Sequence, residues 1–377
     1  MKTSCSKLWL FALILVPSIS FGIFLGCSRP TTPQQSAPTP IVTPVVVAKE
    51  FVGSAACTLC HAKEANQHKL TGHARTLTPI TEEDLGKRLP SLASIPNTKL
   101  AMQKLEDQFV VASKLTGNVF PLQLAFGSGK QGMTYSTILD DKTLFEMHYS
   151  YFPETKKWYI TPGHEQEKID PKSMGLSLSG AVPRKCILCH AVTLPENSLK
   201  LEPKFMGVGC ESCHGPGSAH IAAAQTAGTK DFGMEKLSTI GGTKMNALCG
   251  QCHRSVEEVS KMPEHQRLSQ RFFPYGLAMS RCFKESNDQL TCSGCHDPHT
   301  NISTDLKYYE SRCLNCHASP KVSIPISAKP SLPAEKRVVC KVNPSKGCVG
   351  CHLPKKNAFP GTSLPISMAD HWIRIQK

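Results

Sequence analysis

The sequence predicts a mainly α-helical and irregular fold with one small antiparallel β insertion. Three observations carry this prediction. The pattern Cys-x-x-Cys-His occurs seven times, six of the copies are crowded into residues 186–352, and five runs of β-forming residues lie between the first two copies. With only about 28 residues for each crowded copy, the chain there is too short to build an ordinary hydrophobic core around every motif. Groups other than side chains must therefore fill much of that interior.

The repeated motif uses 14 of the 18 cysteines. Motifs 1 to 7, in chain order, are Cys57/Cys60/His61, Cys186/Cys189/His190, Cys210/Cys213/His214, Cys249/Cys252/His253, Cys292/Cys295/His296, Cys313/Cys316/His317 and Cys348/Cys351/His352. Two residues between the cysteines make about one helical turn, so both thiols can add to one haem and the histidine falls under its iron. A zinc site would not need a histidine after every pair, and a thioredoxin-type site would occur once. Seven covalently attached haems c are therefore predicted, and they would pack as the core.

The first 50 residues predict export and a membrane anchor. Lys2 and Lys7 precede a mostly apolar run, as in a secretory signal peptide. The four residues that end with Cys27 resemble a bacterial lipobox, so residues 1–26 are predicted to be a lipoprotein signal peptide and Cys27 the lipidated residue. An uncleaved anchor helix is the alternative. Residues 27–50 are rich in Pro and Thr and are predicted to form a flexible tether on the periplasmic side of a membrane.

The remaining residues are divided into predicted segments according to how closely the motifs follow one another. Residues 51–75 are predicted to form a first haem segment, residues 76–165 a small β-rich insertion, and residues 166–377 a six-haem cytochrome domain. Within the insertion, residues 97–107 are predicted to be helical. Alternation and β-branched or aromatic residues predict strands at Gln108–Leu115, Val119–Phe126, Met133–Leu139, Leu144–Phe152 and Lys157–Thr161.

Histidines outside the motifs are candidates for the second axial ligand of each iron. The chain has 15 histidines, and the eight that lie outside the motifs nearly match seven irons with two axial histidines each. The stronger candidates are His73, His220, His299 and His371, and the weaker ones are His68, His148, His164 and His265. His299 follows His296 so closely that their α-carbons lie at most about 11 Å apart, so the two cannot bind opposite faces of one haem. If His299 is a ligand, it serves a neighbouring haem.

Several runs resemble the multihaem cytochrome c-554 family. They are residues 209–220, 280–283 with 290–299, 351–355 with 370–371, and motif 1 followed by residues 71–74. The resemblance covers roughly residues 51–75 and 180–377. It implies a cytochrome that relays electrons, with His73, His220, His299 and His371 as distal ligands. This chain has seven motifs where the name-giving members have four haems, so the partner and the direction of transfer do not carry over.

Charge and motif content narrow the function. The formal charge of +14 would ordinarily suggest an anionic partner, but two propionates on every haem offset most of it, so nucleic acid is not a predicted partner. The favoured prediction is a carrier that transfers electrons between extracytoplasmic redox partners, without catalytic residues of its own. The alternatives are a reductase of a small nitrogen or sulfur oxyanion with one open haem, and an assembly module that docks through the β insertion. Cys282 and Cys340 lie outside the motifs, and either a disulfide or two thiols fits the sequence.

Overall fold

The computed structural model describes residues 49–84, 88–165, 169–170, 172–226, 228, 233–317, 340–341 and 347–375. Helices account for 33% of the structure and strands for 19%, so the fold is mixed. The predicted mainly α-helical and irregular class with one small antiparallel β insertion is confirmed only in part, because several small antiparallel sheets are present. The helices are short because most of them end at or near a motif histidine. The predicted signal peptide, tether and lipidated Cys27 lie outside the described residues. Among the residues described, no helix is both long and apolar enough to span a bilayer.

Antiparallel strands build the first part of the chain. A five-stranded sheet has the order β1 (Leu77–Pro79), β5 (Leu124–Phe126), β6 (Thr134–Asp140), β7 (Thr143–Met147), β10 (Gly175–Leu178). A three-stranded sheet contains β2 (Leu100–Leu105), β3 (Gln108–Ser113) and β4 (Val119–Pro121), and a hairpin pairs β8 (Tyr149–Phe152) with β9 (Lys157–Ile160). Near the chain end, β11 (Lys355–Asn357) pairs with β12 (Ser367–Ala369). The five predicted strands are thus confirmed, two of them as pairs of shorter strands, but they form three small sheets instead of one meander.

The helix predicted at residues 97–107 is wrong. This segment contains β2, which pairs with β3 from Leu100 opposite Ser113 to Leu105 opposite Gln108. Glu106, at φ 52°, lies in the two-residue turn between them. Leu, Ala, Met and Lys favour a helix locally, but pairing with β3 and burial of Leu100 and Met102 outweigh that preference.

Three clusters of apolar side chains are buried. The largest lies among the strands and contains Met102, Val111, Tyr135 and Met147. The second joins the strands to the helix of motif 2 through Leu77, Leu144 and Ile187. The third packs Phe152 of β8 against Ala358, Leu364 and Ile366 near the chain end.

The helices that follow are short. They are α1 (Ala62–His68), α2 (Ala181–His190), α3 (Cys210–His214), α4 (Ser218–Ala224), α5 (Gly242–His253), α6 (Val256–Ser260), α7 (Phe273–Met279), α8 (Arg281–Lys284), α9 (Cys292–Cys295), α10 (Leu306–His317) and α11 (Cys348–His352). Single 3-10 turns occur at Ser54–Cys57, Glu82–Asp84, Pro203–Phe205, Leu237–Thr239 and Glu264–Gln266. Helices α8 to α11 bury no side chain at all.

Candidate haem-binding sites

Helix ends position the motif residues. Helices α2, α3, α5, α10 and α11 each end at a motif histidine, and α9 ends one residue before His296. Motif 1 follows a 3-10 turn that ends at Cys57. One helical turn places both sulfur atoms of a motif on the same side, with the histidine beyond them. All fourteen motif cysteines are half-buried or exposed, so their sulfur atoms are accessible for thioether bonds.

Four motif histidines each face a histidine from elsewhere in the chain. The centroid distances are 6.2 Å for His61 and His220, 6.0 Å for His253 and His73, 6.3 Å for His214 and His299, and 6.2 Å for His296 and His371. Two imidazoles on opposite sides of one metal would have centroids about 6.2 Å apart, from metal–nitrogen bonds of about 2.0 Å and about 1.1 Å from nitrogen to centroid. The four pairs therefore have the spacing that an iron between two histidines requires.

Hydrogen bonds fix which ring nitrogen is available. His190 Nδ1 lies 3.0 Å from the carbonyl oxygen of Thr76 and 2.7 Å from its hydroxyl. His352 Nδ1 donates to the carbonyl oxygen of Arg374 at 3.1 Å, and His371 Nδ1 donates to that of Ala369 at 2.9 Å. A carbonyl oxygen can only accept, so Nδ1 carries the proton in each of these rings. Nε2 is then left with its lone pair for a metal.

Several motif histidines have a lowered pKa. Burial among the surrounding protein, with help from His73 and His371, lowers the pKa of His253 to about 4. Burial likewise lowers the pKa of His190 and His296. A neutral imidazole is the form that binds iron, so these sites are prepared for ligation near neutral pH.

The weaker candidates do not face a motif histidine. His148 and His164 lie buried in the β-rich part, with their Nδ1 atoms 3.0 Å apart. His164 Nε2 lies 3.1 Å from Glu146 Oε2, and His148 Nε2 lies 3.0 Å from Ser173 Oγ. These contacts use all four ring nitrogens of the pair.

His68 and His265 differ from that pair in their surroundings. His68 is half-buried near His73, His299 and His214. Burial is the main cause that lowers its pKa, and the charges of these three histidines lower it further. His265 is exposed. Within the described chain, His190 and His352 also face no second histidine at this spacing.

Thiol contacts show which motifs are neighbours. Three pairs from different motifs are hydrogen-bonded: Cys57 with Cys210, Cys189 with Cys252, and Cys249 with Cys292. Cys213 lies near Cys249, and α10 contacts both α9 and α11. In the loaded protein these sulfurs are thioethers, so the contacts identify adjacent attachment points. The motifs form a connected series in the order 1, 3, 4, 5, 6, 7, with motif 2 beside motif 4.

Eight of the fourteen motif cysteines take no part in these hydrogen-bonded pairs, and Cys60, Cys316 and Cys351 are among them. Cys60 and Cys351 are exposed, and Cys316 is half-buried near Cys295 of motif 5. Cys316 lies in α10 and Cys351 in α11, as the motif predicts. Cys60 lies in a turn before α1 that the His61 N–H closes by donating to the Cys57 carbonyl oxygen at 2.9 Å, so motif 1 also contains about one helical turn. Attachment of haem at all fourteen motif cysteines stays a prediction, because it rests on the motif spacing.

A cavity of about 430 Å³ lies between the helices of motifs 2 and 4. Its lining includes Cys189 and Cys252, the apolar Leu188, and the basic Arg184 and Lys185. Cys189 belongs to motif 2 and Cys252 to motif 4, so the two sulfur atoms would each hold a different haem. The apolar wall and the cations suit the edge of an apolar ring that carries carboxylates, so the lining fits a haem held by either motif. Cys282 and Cys340, outside the motifs, are both thiols in this structure.

Two supporting residues were missed by the sequence reasoning. Thr76 holds His190 although the two lie far apart in the chain, and no local pattern signals this contact. Asp370 is fully buried and binds Ser269, Lys356 and Arg374, which fixes the segment that carries His371. The sequence offers one signal for Asp370, because this acidic residue directly precedes the candidate ligand His371.

Comparison with known proteins finds multihaem cytochromes. The family described as cytochrome c554 and c-prime matches residues 147–215, which contain motifs 2 and 3. Multiheme cytochrome MtrA of Shewanella baltica (strain OS185) is 26% identical over 238 residues, which cover 56% of this chain and 65% of that protein. The match thus spans slightly less than two thirds of that relative. The crystal structure of outer cell wall cytochrome OcwA has a similar fold, with a TM-score of 0.50 and 18% identity over 86% of this chain and 79% of that one.

Proposed function

Since the chain is a multihaem c-type cytochrome, we propose that it is an exported heptahaem carrier that transfers electrons between extracytoplasmic redox proteins. Haem c supplies one-electron exchange at its iron, and a second axial histidine keeps that iron six-coordinate. The observation that carries the proposal is the set of four facing histidine pairs at 6.0–6.3 Å. Irons closed on both faces suit electron transfer better than substrate binding.

The proposed ligand set follows from these pairs. His220 would complete the site of motif 1, His299 that of motif 3, His73 that of motif 4 and His371 that of motif 5. His299 therefore serves the site of motif 3 and not that of its own neighbour His296, as the short spacing between them requires. The proposal leaves His68, His148, His164 and His265 without an iron.

The connected series of motifs supports the carrier. Adjacent attachment points run from motif 1 near the start of the described chain to motif 7 near its end, so a partner at either end has a route to the other. The comparisons do not favour the reductase alternative. The proposed partners are redox proteins, and the proposed anchor at Cys27 would hold the carrier at a membrane.

Two measurements test the carrier and its haem load. Intact-mass spectrometry of protein matured by a full cytochrome c assembly system should show seven haem masses, and a Cys313→Ala/Cys316→Ala variant should show six. Steady-state assays with nitrite, hydroxylamine and tetrathionate should show negligible turnover. Rapid reductant-dependent turnover, together with a high-spin signal that shifts on adding one of these substrates, would make the protein an enzyme instead.

The anchor has its own test. After expression with the complete leader, the protein should sediment with membranes, and a Cys27→Ser variant should be released to the soluble extracytoplasmic fraction. Membrane retention of the Cys27→Ser variant would contradict lipidation and favour an uncleaved helix.

A further inference from the structure

Glu211 stands between the two cysteines of motif 3, and its side chain is turned inward. Only 2% of the residue is exposed. Its carboxylate accepts hydrogen bonds from three backbone N–H groups: Val52 at 2.9 Å, Gly53 at 2.7 Å and Gly217 at 2.7 Å. A buried carboxylate is costly unless donors compensate its charge, so this arrangement is a built feature of the site.

The three donors come from two segments that together form the site of motif 1. Val52 and Gly53 lead directly into the turn Ser54–Cys57. Gly217 is the residue before α4, the helix that carries His220. Glu211 therefore ties the chain that enters motif 1 to the helix that carries the histidine facing His61.

Neighbouring contacts strengthen the same junction. The Ser218 hydroxyl accepts from the Glu50 backbone N–H at 2.8 Å, and the Cys210 N–H donates to Ser54 Oγ at 3.1 Å. A Cβ on Gly217 would lie 3.2 Å from Glu211 Oε1, so a larger residue there would push α4 away from the carboxylate. The close approach of α4 depends on glycine at this position.

Glu211 belongs to motif 3, and its charge also reaches the attachment site of motif 1. Burial, the adjacent Cys210 and the charge of Glu211 raise the pKa of the Cys57 thiol to about 11. A negative charge in a poorly solvated place stabilises the oxidised, more positive state of a nearby iron. It therefore lowers the reduction potential of that iron.

We propose that Glu211, although part of motif 3, is the positioning residue of the site of motif 1. Its carboxylate sets the distance between His61 and His220, and its charge holds the reduction potentials of the haems at motifs 1 and 3 low. This inference rests on the proposed function, because it takes those two histidines as the axial ligands of one iron.

The test uses the haem-loaded protein and its Glu211→Gln variant. Glutamine keeps the size but loses the charge and one accepting oxygen. Potentiometric titration followed by low-temperature electron paramagnetic resonance should show two haem potentials shifted to more positive values. It should also show part of one low-spin signal converted to high-spin. The affected signals are identified as those that His220→Ala and His299→Ala each remove.

Two further variants separate the effect of the Glu211 charge from the effect of its hydrogen bonds. Glu257 is exposed on α6 and pairs with Lys261, so Glu257→Gln should leave every potential and signal unchanged. Glu211→Asp keeps the charge on a shorter arm, so it should disturb the ligation at motif 1 while the potential of the haem at motif 3 changes little. If Glu211→Gln does not load haem, Glu211→Asp still tests whether the Glu211 carboxylate positions the site of motif 1.

Unchanged potentials and an unchanged signal at motif 1 in Glu211→Gln, or a wild-type ligation signal in Glu211→Asp, would overturn the role of Glu211. His220→Ala decides the underlying ligation separately. If that variant stays fully low-spin, the ligand assignment in the proposed function is wrong. If it loses a low-spin haem while the Glu211 variants match the wild type, only the present inference is wrong.

Discussion

The β-rich region, residues 77–178, and the motif region, residues 181–375, fill their interiors differently. In the β-rich region, thirteen apolar residues that are each at most 5% exposed form one cluster among the strands. In the motif region, helices α8 to α11 bury no side chain, although three of them carry motif residues. The first region has a core of its own side chains, whereas these four helices of the second region do not supply one. The two regions should therefore depend on haem to very different degrees.

Preventing haem attachment should have the largest effect, and only on the motif region. Protein produced without a cytochrome c assembly system should lose most of its helical signal in circular dichroism and keep the β signal. Two tryptophans report on the regions separately in a form that begins at residue 49. Trp158 packs against Tyr135 and Tyr151 in the β-rich region, whereas Trp372 lies beside Arg374 in the motif region.

In the haem-free protein, a Trp372→Phe variant should keep the blue-shifted, protected fluorescence of Trp158. The matching Trp158→Phe variant should show Trp372 in water. Exposure of both tryptophans would mean that the β-rich region also needs haem. The second apolar cluster joins the strands to Ile187 of α2. It would then be the contact through which loss of haem destabilises the β-rich region.

Removing one distal histidine should change one iron and leave the fold in place. His73→Ala, His220→Ala, His299→Ala and His371→Ala should each convert one haem from low-spin to high-spin, because each ring faces a different motif histidine at 6.0–6.3 Å. Haem content by mass should stay at seven. The measurement is electron paramagnetic resonance of the oxidised protein.

Histidines from both regions supply the controls for that series. His265→Ala removes an exposed ring of the motif region, and His164→Ala removes a buried ring of the β-rich region that binds Glu146. Neither should raise the high-spin signal. A new high-spin haem in His164→Ala would show that the β-rich region supplies an iron ligand, and the comparison between the regions would have to be redrawn.

The sequence predicted the two regions unequally. Enrichment in β-branched and aromatic residues was enough to find the strands, although burial along β3 and β6 does not alternate strictly. It failed at residues 97–107, where helix-favouring residues form β2 through long-range pairing with β3. In the motif region the seven motifs and the four stronger histidines are visible in sequence. Their pairing is not visible, because His220 reaches His61 from far along the chain.

The sequence also did not predict the hydrogen bonds that hold the His148 and His164 rings. Glu146 and Ser173 bind the His148 and His164 rings, and nothing local to those histidines distinguishes them from iron ligands. The iron-binding role of the stronger four stays a prediction until the variants are measured. The division into domains at residues 75 and 165 stays a prediction as well.

A core substitution in the β-rich region should have a moderate effect on stability and none on haem. Leu100 is 2% exposed within the cluster, so Leu100→Ala should lower the free energy of unfolding of that region by about 2–5 kcal/mol. Denaturant unfolding followed by Trp158 in the haem-free Trp372→Phe form gives the value. Leu115→Ala, at a position that is 50% exposed, is the matched control and should change it little. An altered haem spectrum in Leu100→Ala would show that the regions are tightly coupled.

The smallest expected effect lies where the two regions meet. Thr76 precedes β1, its carbonyl accepts from both Gly127 N–H and His190 Nδ1, and its hydroxyl lies 2.7 Å from the same Nδ1. Thr76→Val removes only the hydroxyl, so the carbonyl still orients the ring and the haem at motif 2 should stay attached without a change in spin state. Weaker hydrogen bonding at Nδ1 makes the imidazole a poorer electron donor to iron, which destabilises the oxidised state. The potential of that haem should rise by no more than about 60 mV, the equivalent of about 1.4 kcal/mol. Potentiometric titration of the variant beside the wild type measures it. A fall in potential, or the loss of that haem, would show that the β-rich region does more at motif 2 than orient one ring.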